Sequence, residues 1–133
     1  MVRATARRRQ GYTHDVEVEG HRLVIDEPEE ADGANLGPSP TRVLAASLAA
    51  CTAITIEMYA GRKGWDLGDV RVDVEMEYGE AYAPSSFVVH LHLPRELSPQ
   101  QLERLREIAG RCPVHRVLSE RREVTIQDRI EPL

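Results

Sequence analysis

From Val43 to Ile56 the chain runs 14 residues without a charge, directly after Ser39-Pro40. A serine suits the cap of a helix, and proline suits its first position, where the missing N–H is unpaired anyway. Leu44, Leu48, Cys51, Thr55 and Met58 then recur at helical spacing, and the faces between them hold Ala45, Ala46, Ala49, Ala50, Ala53 and Ile54. The predicted helix is therefore apolar nearly all round, and such a helix must be covered on most of its sides. The uncharged run falls short of the roughly 17 residues that span a bilayer, which makes it a core helix. Gly61 and Gly64 supply its stop. A chain of 133 residues reads as one domain, 1–133, and has little else with which to cover such a helix.

The flanking segments read as strands. Tyr12 to Glu19 alternates with Val16 and Val18 on one face, Glu19-Gly20 makes a two-residue turn, and His21 to Asp26 returns. Val2 to Arg9 forms an earlier strand, and Glu27 to Ser39 is a loop rich in Pro, Gly, Asp and Glu. After Trp65, Val70, Val72, Val74 and Met76 alternate with charged residues, Gly79 to Ser86 connects, and Phe87 to Leu93 forms the next strand. Ser98-Pro99-Gln100-Gln101 is a capping box that opens a helix with Leu102, Leu105, Ala109 and Cys112 on its apolar stripe. Pro113 ends that helix, a short one restarts through Leu118, and Val124 to Ile130 reads as a last strand. The order β-β-β-α-β-β-α-β defines an α+β domain.

Composition narrows the function. Seventeen basic against 22 acidic residues leave a net charge of −5, which argues against a nucleic-acid partner. The chain opens polar, with no apolar leader, so a soluble cytoplasmic protein with no membrane partner is expected. No glycine-rich phosphate loop and no Gly-x-Ser-x-Gly occur. Cys112-x-x-His115 with a distant Cys51 lacks the spacing of a zinc site, and neither a metal nor a cofactor is expected. His90 and His92 share a strand face, while His14 and His21 should face each other across the first hairpin.

Two cysteines carry the chemical interest. Cys51 in an alanine-rich helix could simply fill space. Cys112, however, precedes a possible helix N-terminus, where amides favour thiolate. Both fall on apolar stripes, so two packed helices would bring the thiols together as an attacking and a resolving couple. Cys51 lies eleven residues past Pro40, about 16 Å along the axis and beyond the dipole's reach. Activating it takes a cation from elsewhere. Arg42 points to the opposite side of the helix, which leaves Arg116 or an arginine of the Arg7-Arg8-Arg9 run, itself otherwise a solvated strand face.

Gly37-Pro38-Ser39-Pro40, Ala46-Ser47-Leu48-Ala49-Ala50-Cys51-Thr52-Ala53, Met58-Tyr59-Ala60 with Lys63-Gly64-Trp65, and Arg111-Cys112-Pro113-Val114-His115-Arg116 together resemble the osmotically inducible protein C and organic hydroperoxide resistance superfamily. The resemblance covers nearly the whole chain and is nearest the less characterised OsmC-like branch. It implies an intertwined homodimer with long buried central helices against antiparallel sheet. It also implies a thiol peroxidase that reduces organic hydroperoxides, and hydrogen peroxide less well, with recycling by a thiol reductant. Cys51 takes the place of the attacking cysteine and Cys112 of the resolving one, with Arg8, Arg9 and Arg116 as candidate activators. The family's first-turn glutamate is missing, since that turn reads Thr41-Arg42-Val43. Either another acid, such as Glu57 or Glu27, Glu29 or Glu30, substitutes from a partner chain, or the arginine is mobile. The alternative is a weakly reactive relative that binds a hydrophobic ligand in the dimer cleft.

Overall fold

The computed structural model describes residues 1–120 and 124–133. Three strands, β1 (Ala4–Gln10), β2 (Thr13–Val18) and β3 (His21–Ile25), form one antiparallel sheet in chain order. The helix α1 (Pro40–Lys63) follows, then the antiparallel pair β4 (Arg71–Tyr78) and β5 (Pro84–His92), and finally α2 (Pro99–Ala109) and α3 (Pro113–Ser119).

Pro40 stands at the start of α1 as its fixed φ allows, and Ser39 before it is extended (φ −70°, ψ 158°), although its hydroxyl makes no cap bond. Gly61 lies inside the helix. Gly64 alone ends it, in the left-handed conformation (φ 71°), its N–H reaching the carbonyls of Ala60 and Gly61. The residues of α1 that become buried are Leu48, Thr52, Ile56 and Ala60, one every four. They make a single stripe, whereas Ile54 is 50% and Met58 59% exposed. The expected burial on most sides is thus not achieved within one chain. By length and composition α1 could cross a membrane, but its stripe packs against β4, β5, α2 and α3 as a core helix.

The core sits where α1 meets α2. Ile56, Ala60 and Leu67 pack with Leu105, Ile108 and Ala109. Burying each of the large aliphatic side chains contributes roughly 1.5–3 kcal/mol. The capping box opens α2 as the sequence predicts: the Gln101 N–H donates to Ser98 Oγ at 3.1 Å, and the Ser98 N–H donates to Gln101 Oε1 at 2.8 Å. Arg104 Nε donates to Tyr59 Oη at 2.9 Å and ties the two helices at their rim.

Four expectations need correction. First, α2 stops at Ala109 rather than reaching Cys112, because the residue before Pro113 is pushed to extended angles (ψ 133° at Cys112). Second, β5 begins at Pro84, three residues before Phe87. The link is shortened by a tight turn in which Ala81 and Tyr82 are both left-handed (φ 54° and 58°), the geometry that matches the twist of paired strands. Third, His14 pairs with Ile25 and His21 with Val18, so these histidines lie at opposite ends of the ladder. Fourth, Val124–Ile130 forms no strand in the single chain. Val124, Ile126 and Ile130 are exposed, and a strand exists only where an edge offers it hydrogen bonds.

The Glu27–Ser39 loop is not slack. Asp26 is buried, and its carboxylate accepts hydrogen bonds from Thr13 Oγ1 at 2.7 Å, from the Glu27 N–H at 2.7 Å and from the Leu36 N–H at 3.3 Å. The Asp26 N–H in turn donates to the Pro38 carbonyl at 3.2 Å. Gly37 lies so close beneath β3 that a Cβ would run into the Val24 carbonyl. One carboxylate therefore sets the entry of α1 against the first sheet. The Thr13 hydroxyl, followed by the backbone donors, holds the Asp26 carboxyl below the usual carboxylate range. A depressed value means stability present above the unfolded pKa of about 4 and lost as pH falls through the folded one. Acid titration of the melting temperature should show this loss below about pH 4, and Asp26→Asn should lower the neutral-pH value by several degrees while flattening the acid limb.

Candidate active site

Cys51 lies on α1 between Leu48 and Thr52, at the margin of the buried stripe. The Thr52 hydroxyl is satisfied within the helix, donating to the Leu48 carbonyl at 2.8 Å, so no polar side chain on that stripe competes for the sulfur. Cys112 approaches from the other side as the cap residue of α3. Its Sγ accepts the His115 N–H at 3.4 Å. Pro113 follows at the first helical position, where it costs no hydrogen bond. The two side chains are near enough for Cys51 to perturb the Cys112 thiol, and both cysteines are free. Their convergence, expected from two helical stripes, is achieved instead by one helix flank and one helix cap.

The two sulfurs are not equivalent. Cys51 is half-buried, whereas Cys112 is fully buried. Burial pushes the Cys112 thiol up first, and the neighbouring Cys51 side chain adds to this. The His115 and Val114 amides pull the other way without prevailing. Cys112 is therefore a protonated thiol at neutral pH, shielded behind a more accessible neighbour.

The candidate activating cations are elsewhere. Arg9 Nη2 pairs with Asp15 Oδ1 at 2.7 Å on the adjacent strand, which holds the Asp15 carboxyl below its ordinary value. Arg116 Nε is engaged by Glu120 Oε1 at 3.1 Å. Arg8 lies on β1 opposite His14, and β1 is exposed along its whole length. Among the described residues, none of these three arginine side chains makes a hydrogen bond to either sulfur. The first turn of α1 carries no acid. Thr41 Oγ1 there shares a 2.7 Å hydrogen bond with Tyr78 Oη, whose ring meets Tyr82 edge-on. Glu57, Glu29 and Glu30 are exposed, and Glu27 belongs to the loop around Asp26. Tyr78 was not legible as a neighbour of this turn, because it follows Val72, Val74 and Met76 in phase on β4 and its partner lies 37 residues away.

A half-buried thiol on a long apolar helix, backed by a fully buried thiol at a second helix start, defines an α+β protein with a two-thiol site. The OsmC-like protein family model matches residues 32–127. The chain belongs to that family. Its fold recurs in a protein from Psychrobacter arcticus named for osmotic-stress induction and the detoxification response (20% identity, 90% of each chain, TM-score 0.82). It is also similar to an organic hydroperoxide resistance protein OsmC from Legionella pneumophila (25% identity, 90% of each chain, TM-score 0.68). An organic hydroperoxide resistance protein from Elizabethkingia anophelis is similar too (22% identity, 91% of this chain and 89% of that one, TM-score 0.68). No curated protein matches the chain in sequence.

Native-state alkylation checks the inequality of the sulfurs. Cys51 should be labelled at least about tenfold faster than Cys112, since Cys51 is the more exposed and burial disfavours the Cys112 thiolate. The Cys112 rate should still be rising at pH values where a free cysteine has levelled off. Equal rates for the two cysteines would contradict the burial seen here.

Proposed function

We propose that this protein is a thiol-dependent peroxidase acting on organic hydroperoxides, within the redox and stress-response role that its family membership supports. The observation that carries this reading is the closeness of the Cys51 and Cys112 side chains, one half-buried and the other fully buried. In the first step the Cys51 thiolate attacks the terminal peroxide oxygen. The O–O bond breaks, the alcohol leaves with a proton, and Cys51 becomes a sulfenic acid. In the second step Cys112 attacks that sulfur, a disulfide forms, and the hydroxyl leaves as water. Two electrons from a thiol reductant then restore both thiols. The names of the Legionella and Elizabethkingia relatives agree with this substrate class.

The assembly is a homodimer in this proposal. The unburied flanks of α1, the fully exposed β1 and the unpaired apolar residues after Glu123 are surfaces that a second copy would cover. The same copy would bring an arginine to Cys51, to which neither Arg9 nor Arg116 is bonded within one chain. Sedimentation should give twice the chain mass at micromolar concentration, and a monomer would contradict the assembly.

Reduced protein should consume about one equivalent of an alkyl hydroperoxide and lose both thiols. Cys51→Ser should abolish consumption. Cys112→Ser should retain one turnover and leave a sulfenic acid on Cys51 that a dimedone probe captures. With Thr41 bonded to Tyr78 where the family carries glutamate, the arginine is less firmly held, and misplacement by about 1 Å costs on the order of a hundredfold in rate. Wild-type turnover should therefore be slow, slower still with hydrogen peroxide, and raised by Thr41→Glu. Among Arg8→Ala, Arg9→Ala and Arg116→Ala, the one that removes the activating cation should lose at least about tenfold. A protein that leaves alkyl hydroperoxide untouched, with and without Thr41→Glu, would replace this reading by that of a hydrophobic-ligand binder.

A further inference from the structure

Cys112 poses a chemical problem that the thiol pair alone does not solve. It must attack as a thiolate, yet burial keeps it protonated, so its proton needs an acceptor at the moment of attack. His115 is the titratable residue the fold ties to that sulfur. Its backbone N–H is the donor to Cys112 Sγ at 3.4 Å, and its half-buried side chain is set by Ser119 one turn further on.

The serine decides which ring nitrogen is available. Ser119 Oγ donates its single proton to the His115 carbonyl at 2.7 Å and lies 3.1 Å from His115 Nδ1. With its proton committed, the hydroxyl accepts from Nδ1–H, so the neutral ring keeps its lone pair on Nε2. Nε2 has no hydrogen-bond partner among the described residues. The side chain borders two clefts beside the thiols. One, of about 370 Å³, is also lined by Thr52, next to Cys51, and by Ala109 and Gly110, just ahead of Cys112. The other, of about 230 Å³, is lined by Leu48, Phe87, Leu118 and Ser119. Both are roomy enough for a water between polar groups.

We propose that the His115 imidazole is the proton acceptor for Cys112 during disulfide closure, taking the thiol proton on Nε2 directly or through one water in the cleft. When the leaving group is the sulfenic hydroxyl, the imidazolium returns that proton and water departs, so the histidine ends as it began. This rests on the two-thiol reading of the site, but it concerns the second cysteine only. The other titratable or charged groups near the histidine are Cys112, bonded to its N–H, and Arg106 and Glu107 on α2, which line the first cleft with it; Cys51 faces Cys112 from α1. β5 contributes no titratable side chain to either cleft.

A disulfide reagent tests the step without any peroxide. Reduced protein is treated with one equivalent of 5,5′-dithiobis(2-nitrobenzoate), which places a thionitrobenzoate on Cys51 and releases a first equivalent of the coloured thiolate. Attack by Cys112 releases the second equivalent, and the freed proton goes to the base. The first phase counts folded, reactive sites. His115→Gln keeps the backbone N–H on Sγ and removes only the base. It should slow the second phase at least about tenfold at pH 7. Its rate should then climb steeply with pH, whereas wild type is flatter, and the two should converge only at pH values above the ordinary cysteine range, where the thiol ionises unaided. Added imidazole should restore part of the lost rate. Ser119→Ala should slow the same phase less, by releasing the ring. Second-phase rates and pH profiles identical in wild type and His115→Gln would overturn the proposal. A normal histidine effect in a protein that ignores hydroperoxides would overturn the peroxidase reading and leave this one standing.

Discussion

A helix that is apolar around its whole circumference can be covered by one small chain along one stripe only. That constraint organises the rest of the molecule. The Leu48, Thr52, Ile56 and Ala60 stripe of α1 takes up β4, β5, α2 and α3, and these elements leave the remaining flanks bare. Cys51 falls at the boundary between the two regimes. One residue further round and the thiol would be as inaccessible as Thr52, and on the outer flank it would not touch Cys112. Half-burial leaves this sulfur open to solvent on one side and close to a sealed thiol on the other.

The ends of α1 are held by unrelated means. The C-terminal end is packed hydrophobically, with Tyr59 against Trp65 and Arg104 bonded to the tyrosine hydroxyl. The N-terminal end is held by polar contacts, through Asp26 and the loop it gathers, and through the Thr41–Tyr78 hydroxyl pair. Acid therefore acts on one end of the helix and leaves the other alone. The thiol pair lies between them, so its geometry reports on both anchors.

Much of this was legible in the sequence because the signals are local. The capping box at Ser98, proline at the start of each helix and the alternation of β4 depend on neighbours a few positions away, and each was found where the residues said. The errors arose where a distant or absent partner decides. Cys112 fits the apolar period of α2, but the proline after it overrides that period and makes it a cap. Val124 to Ile130 has strand composition, yet composition does not supply an edge to pair with. In the site, the two thiols could be chosen from the helix pattern. The arginines could not, since Arg9 is spent on Asp15 and Arg116 on Glu120. Ion pairs of that kind follow from tertiary register and leave no periodic trace.

The meeting of Cys51 and Cys112 joins positions 61 residues apart in the chain. Any oxidant that links them closes a loop through α1, the β4–β5 hairpin and α2, the elements that make the core. Closing a loop of that length restricts the denatured chain by about 4 kcal/mol in the chain-entropy view. In the proposed cycle redox state and mechanical integrity would become one variable: the form just oxidised would be the harder to unfold, and the reductant that resets the thiols would also loosen the domain.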